Sequence, residues 1–531
     1  MVRLSRRRFG RGALAASAAT LVGAPAVWAQ KDLQTLRFVP EAALTILDPI
    51  WTTGYVTRNY GYLVYDTLFG MDENFNIRPQ MVERTTVSPD GMKYTFRLRD
   101  GLRWHDGLPV ESEDCVESLK RWGKRDRFGQ LLFAHTENIT PVDKKTFTLS
   151  LAERFGPVLD ALGKPSSIVP FMMPARIAST SANEQIKDTV GSGPFRFARE
   201  EWQPGEQAVF VRNPDYIPRD EPPSGSTGGK RVHLDRVIWR YIPDPWDAAE
   251  RLTTGDVDWW QEPPLEFIPK IEQNPDLQTF VFDHLGVQGW LRPNFLHPPF
   301  NNKMAREALL HMMDQGTYLA WAVGQSDYYH PCYSVFACGG PYETRIGAAP
   351  MVEHDIEKAR RLVKQSGYDG KPIVVIQVTD RPVFNAAGIV TRQRLESIGF
   401  KVTLKAMDWS TFLAVRARKE PPEKGGWNLL HTYFQASDVI DPAVHFAISG
   451  AGPHAWFGWP DVPQLETLIT DWVRATDQPK RQRLADEIQR IALNEVTYVP
   501  WGQWSQPTAF RKTVRDVLKF GAPIFWNVKL A

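Results

Sequence analysis

Apolar residues recur with two different periods along this 531-residue chain. Short runs rich in β-branched and aromatic residues, at 95–98, 146–149, 232–242, 373–378 and 402–404, have the alternation or density of strands. Between them lie stretches with apolar positions three and four apart: 111–122, 305–313, 356–365 closed by Gly367, 464–475, and a long one at 479–494. Pro stands before or at the start of three of these stretches (Pro109, Pro463, Pro479), where a missing N–H suits a helix start. Strands interleaved with helices predict an α/β or mixed α+β architecture. Breaks rich in Pro and Gly at 221–229 and 420–426 predict surface insertions, and there is no internal repeat or low-complexity tail.

Ser5-Arg6-Arg7-Arg8-Phe9 is a twin-arginine-type basic start, followed by a small, apolar stretch from Gly12 to Ala26. That stretch is rich in Ala and falls short of the ~20 strongly apolar residues of a spanning helix, so it predicts the core of an export signal. Val27-Trp28-Ala29 places small residues three before and one before a cut. This predicts a signal peptide over 1–29 and a mature start at Gln30 in the periplasm, with export of an already folded chain. The competing reading is a basic amphipathic helix of a cytosolic protein. The five Arg of residues 1–29 are unmatched by any acid; removing them takes the formal charge of +2 to −3, which gives no sign of nucleic-acid binding.

About 500 remaining residues exceed what one core fills and predict at least two lobes with a cleft between them. No segment after residue 30 is apolar enough to span a membrane. Trp (19), Phe (28), Tyr (15) and Pro (41) are generous, which suits a globular protein with aromatic-lined surfaces. In an oxidising compartment Cys332 and Cys338 can bridge, closing a short loop for roughly 2 kcal/mol; two independent thiols are the alternative. Cys115, on a helical stretch, reads as a buried small hydrophobe.

Catalytic motifs are missing. The sequence holds no Gly-x-Ser-x-Gly elbow, no Ser-x-x-Lys with its companions and no His-Glu-x-x-His helix. Gly225-Ser-Thr-Gly-Gly-Lys230 looks like a phosphate loop, but Arg231 follows it and no strand precedes it, so it reads as a loop. His105-Asp106-Gly107 reads as a turn, not a metal or acid–base site. Ser88-Pro89-Asp90-Gly91 reads as a turn between strands, and Gly191-Ser192-Gly193-Pro194 as a close backbone crossing.

Several blocks together carry a resemblance. They are Leu47-Asp48-Pro49, Val64-Tyr65-Asp66-Thr67-Leu68, Ser88 to Gly101, Trp104 to Gly107 and Glu113-Asp114. Further on come Gly191 to Phe195, Arg212-Asn213-Pro214-Asp215-Tyr216, Gly255-Asp256-Val257-Asp258 and Ala359 to Tyr368. In this order and spacing the chain resembles the large peptide/nickel-type solute-binding family of ABC importers. The resemblance implies a two-lobed periplasmic binding protein fold of α/β class, with an extra subdomain in the first lobe and a hinge between lobes. Carried onto this sequence, lobe one covers 30–75, 190–286 and 502–531, its inserted subdomain 76–189, and lobe two 287–501, with hinge strands near 287–291 and 499–501. It implies a monomeric receptor that is no enzyme and uses no cofactor, with a peptide-like solute and a membrane permease as partners. The broad family also admits a metal chelate, heme, an opine or a sugar conjugate.

A peptide-like solute is a zwitterion, and a site that removes it from water must supply partners for both ends. In dipeptide-binding members the ammonium partner is the first acid of an Asp-x-x-Asp/Glu-Pro motif, which here is Asp438-Val439-Ile440-Asp441-Pro442. The carboxylate partner is an Arg-Pro pair after an earlier strand, which here is Arg381-Pro382. The resemblance therefore implies Asp438 for the ammonium and Arg381 for the carboxylate. Trp427, Tyr433 and Trp456, among neighbouring rings at 409, 434, 457 and 459, are candidates to line a side-chain pocket. Gln435-Ala436-Ser437 and the aromatic run Ala455-Trp456-Phe457-Gly458-Trp459 depart from the family pattern.

Overall fold

The computed structural model describes residues 34–531. The expected signal peptide over 1–29 and the cut before Gln30 lie outside those residues. Among the described residues, no helix is long and apolar enough to cross a membrane.

One lobe is built on a seven-stranded sheet in the order Phe195–Phe197, Gln207–Arg212, Arg236–Arg240, Thr35–Val39, Trp259–Trp260, Thr508–Arg511, Leu277–Phe280. Its centre is parallel: Thr35–Val39 runs alongside both Arg236–Arg240 and Trp259–Trp260. The other lobe is built on a six-stranded sheet in the order Tyr329–His330, Val499–Trp504, Val287–Pro293, Leu429–Gln435, Ile373–Val378, Val402–Met407. The last three of these strands are parallel. A separate antiparallel sheet of four strands, between Val82 and Leu151, carries the helix Ser112–Trp122.

The chain passes from the first sheet to the second between Phe280 and Val287, and returns between Trp504 and Thr508. Residues 287–291 and 499–501, implied as hinge strands, lie just inside the second sheet, paired antiparallel with Gly289 opposite Gly502. Gly286, at the crossing, has φ +65° and a Cβ there would sit 2.1 Å from the Trp504 carbonyl oxygen. Only glycine fits such a place.

Aromatic residues serve mostly as core. Phe38 meets Trp259 and Phe525 edge-on, with centroids 5.3 and 5.0 Å apart. Trp290 stacks on Phe434 at 4.7 Å in the second lobe. Such pairs add about 1 kcal/mol each beyond area burial.

The expected surface insertion at 221–229 divides in two. Its start is exposed, but Gly225 to Lys230 are buried. The Ser226 hydroxyl accepts from the Met71 N–H at 2.9 Å, and Lys230 pairs with Asp66 at 2.7 Å over the Trp526 ring. The phosphate-loop lookalike is thus an interior strut with its lysine committed to a carboxylate. The 420–426 break is a surface turn. His105 does more than close a local turn: its ring nitrogens reach the Gly193 carbonyl at 3.1 Å and the Gly191 N–H at 3.3 Å, and burial pushes its pKa down to about 4. Gly191 and Gly193 cross the Val64 backbone, where a Cβ on Gly191 would meet the Val64 oxygen at 1.9 Å. Two blocks almost 90 residues apart in sequence are therefore one structural joint.

Cys332 and Cys338 form a disulfide, and Cys115 is buried.

Candidate functional site

Both parallel centres present the carboxyl ends of their strands to the space between the lobes, where side chains leave the sheets without backbone competition. On one side, Val39 pairs with Trp260 in register, and each strand runs on two residues to an acid, Glu41 and Glu262. The Glu41 N–H donates to the Gln261 amide oxygen at 3.2 Å, which keeps the two segments side by side. On the other side, the strand Ile373–Val378 leads to Arg381, which is the N-cap of the helix Pro382–Ser397. Pro382 at the first helical position fixes this start.

Arg381 is half-buried and its guanidinium lies 5.5 Å from the centroid of the Trp409 ring. Among the described residues that guanidinium makes no hydrogen bond or ion pair. Burial disfavours its charge, but Tyr433, Glu41 and Glu262 outweigh burial and hold its pKa above the usual value. The same coupling acts on the acids in reverse. Burial, then the neighbouring Glu41 carboxylate, push Glu262 up to about 8 against the pull of Arg381 and Arg58. Glu41 is also raised, by burial. Two acids beside each other in a part-dry cleft cannot both ionise freely.

Asp438 closes the 3₁₀ turn Ala436–Asp438 after the strand Leu429–Gln435. It is buried and not isolated. The Tyr55 hydroxyl donates to it at 2.7 Å and the Ser166 hydroxyl lies at 3.3 Å, both from outside the six-stranded sheet's lobe. Burial raises its pKa despite these hydrogen bonds and the charges of Lys164 and Arg58. Tyr55 also accepts from the Gln435 N–H at 2.9 Å. Arg58, one turn along the same helix Tyr55–Val64, donates to the Gln435 side chain and to Ser166. A further contact joins Gly156 N–H to the Val473 carbonyl at 2.7 Å. The lobes are therefore drawn together around the cleft. Asp441, the second acid of the motif, caps the Ala443 and Val444 N–H groups and is pushed up to about 6 by burial.

The candidate pocket rings separate. Tyr433 stacks on Phe384 at 5.2 Å, beside Arg381. Trp427 is fully buried against Trp459 and lines no cleft. Trp456 is half-buried and lies between Arg292 and Arg416. The unusual aromatic run has a structural cause: fully buried Arg292 donates to the carbonyls of Trp456, Phe457, Ala447 and Thr497, so the run wraps a cation.

Arg58, Tyr55, Ser166, Glu41 and Glu262 escaped the sequence reading. For the two acids a signal exists, an acid two residues past a strand end, but only the pairing of strands some 220 residues apart makes it a pair. A cavity of about 30 Å³ behind Arg58 and Ser437 has room for water and not for a solute. Among the described residues, no three His, Cys, Asp or Glu side chains converge on a metal position.

Residues 76–448 match the family described as "Bacterial extracellular solute-binding proteins, family 5 Middle". The chain is 35% identical, over 99% of its length and 100% of the relative's, to a Sinorhizobium fredii (strain NBRC 101917 / NGR234) protein described as "Probable peptide ABC transporter periplasmic-binding protein". Among solved structures it is similar to the periplasmic binding protein DppA from Helicobacter pylori in complex with peptide STSA, with a TM-score of 0.79 and 22% identity over 93% of this chain and 98% of that one. It is also similar to AgaA from A.tumefacien R10 in complex with agropinic acid, with a TM-score of 0.78 and 22% identity over 94% of this chain and 99% of that one. At such identity these structures speak to the fold, which is two-lobed.

Proposed function

The chain belongs to the bacterial extracellular solute-binding proteins of family 5, and from that premise we propose that it captures a peptide-like solute between its lobes and delivers it to the permease of an ABC importer. It works outside the cytoplasm as a receptor and not as an enzyme. Export by the twin-arginine signal of residues 1–29 and action as a monomer belong to the same reading. Arg381 takes the solute carboxylate and Asp438 its ammonium. The lobe boundaries follow those drawn from the resemblance, except that residues 502–504 go with lobe two as part of the strand Val499–Trp504, and the hinge rotates where the chain crosses between sheets.

The observation that carries this reading is Arg381: a half-buried guanidinium on an aromatic face, with no protein acceptor among the described residues, at the strand ends that face the cleft. A carboxylate is the planar acceptor it fits. Asp438 supports the other end, because a carboxylate already held by hydroxyls exchanges one of them for an ammonium at little cost. Solute binding then stabilises the closed arrangement by its difference in affinity for the two states.

The test is thermal-shift screening and calorimetry with peptides of two to five residues, free and with either terminus blocked. Peptides are expected to raise the melting temperature, and blocking the carboxylate or Arg381→Ala is expected to weaken binding by about 2–5 kcal/mol. A response to opines or metal chelates and to no peptide would overturn the peptide assignment.

A further inference from the structure

The acids at the strand ends exceed what a simple zwitterion needs. Asp438 serves the ammonium in the reading above, yet Glu41 and Glu262 face the cleft beside Arg381. Their placement is rigid: parallel pairing in register sets the two strands about 4.8 Å apart, and the Gln261 amide ties the segments beyond them. The nearby Asp258 is neutralised by Arg37 at 3.3 Å. Glu41 accepts only the Val56 N–H, Glu262 bonds its own neighbour Gln261, and among the described residues neither forms an ion pair. Arg381, across from them, is likewise without an ion pair among the described residues, so the two charges are held apart. A ligand presenting an anion to Arg381 and a cation to the acids fills that gap.

We propose that Glu41 and Glu262 form a cation-accepting subsite next to Arg381, so that the favoured solute is a peptide whose carboxyl-terminal residue has a basic side chain. The inference rests on the peptide reading, with the carboxylate at Arg381. The basic side chain starts one carbon from that carboxylate, and its flexible stem lies along Trp409 and Tyr433, whose flat faces suit methylene groups and a cation. The pair's raised proton affinity supports the same role, since a cation is what restores both carboxylates to their charged form. The groups facing the pair are Arg381, Arg58, Tyr433 and Gln261.

Calorimetry would compare matched peptides of two to five residues ending in Lys or in norleucine, which keeps the stem and removes the charge. The Lys-ended peptide is expected to bind at least tenfold tighter. The isosteric double substitution Glu41→Gln/Glu262→Gln, checked for folding by its melting curve, is expected to equalise the two peptides. Norleucine peptides binding the unaltered protein as well as Lys peptides would overturn the subsite and leave the peptide reading standing, and this comparison needs no variant. A preference for Lys that survives the double substitution would also overturn it. Binding of neither series would overturn both.

Discussion

Tyr55→Phe tests whether the lobes are held together through Asp438. The Tyr55 hydroxyl donates to Asp438 at 2.7 Å and accepts from the Gln435 N–H at 2.9 Å. Phenylalanine keeps the ring under Arg58, whose guanidinium lies 4.7 Å from its centroid, and removes both hydrogen bonds. A hydrogen bond to a charged group contributes about 1.5–3 kcal/mol and a neutral one about 0.5–1.5, with the upper range applying when the orphaned group stays buried. Ser166 still reaches Asp438 at 3.3 Å, so a net loss of about 2 kcal/mol is reasonable. With the lobes apart, water satisfies the same groups, and the loss therefore falls on the closed form alone. Two kcal/mol is roughly a 30-fold shift toward the open form, and solute affinity falls by up to the same factor because the competent fraction falls. Small-angle scattering of the solute-free variant should give a larger radius of gyration, returning to that of the parent at saturating solute, while urea unfolding loses no more than the margin by which the closed form outweighed the open one. A variant that loses about 2 kcal/mol of global stability with unchanged scattering and affinity would refute the argument, since Tyr55 would then be a contact common to both forms.

Glu262 sits at about 8 in the folded protein against roughly 4.3 unfolded, so the folded form holds the extra proton in that window. Stability of the solute-free protein is highest below pH ~4.3 as far as this group is concerned and declines as pH rises toward 8. Glu262→Gln should flatten the fall in melting temperature between pH 5 and 8, and an unchanged slope would contradict the assignment. Lys230→Met leaves the buried Asp66, which also holds the Tyr216 hydroxyl at 2.9 Å, without its cation and should cost about 3–5 kcal/mol in urea unfolding; a loss under about 1 kcal/mol would argue against a fully dry pair. Replacing Cys332 and Cys338 together by Ser opens a loop of six-residue separation and should cost about 2 kcal/mol, seen as a lower urea midpoint with an unchanged slope.

Local signals were strong where local physics decides. Hydrophobic period placed the strand Ile373–Val378 and the helix Ile356–Gln365 to the residue, and the turn at 88–91 formed with Gly91 at φ +73°. Motif order identified the family, and with it the two-lobed fold. Sequence also singled out Arg381 and Asp438 as the proposed solute partners, because each stands in a short motif next to a strand. What it left open depends on contacts between residues hundreds of positions apart. Glu41 and Glu262 become a pair only when two strands align in register. Tyr55 meets Asp438 only through the packing of one lobe against the other. Burial of Gly225 to Lys230, in a segment whose composition reads as exposed, depends on Asp66 and Trp526 lying where the lysine arrives. Composition reports how much apolar surface and charge a chain carries; which charge faces which is fixed by the packing, since Coulomb and hydrogen-bond energies act over a few ångströms in space and take no account of distance along the chain.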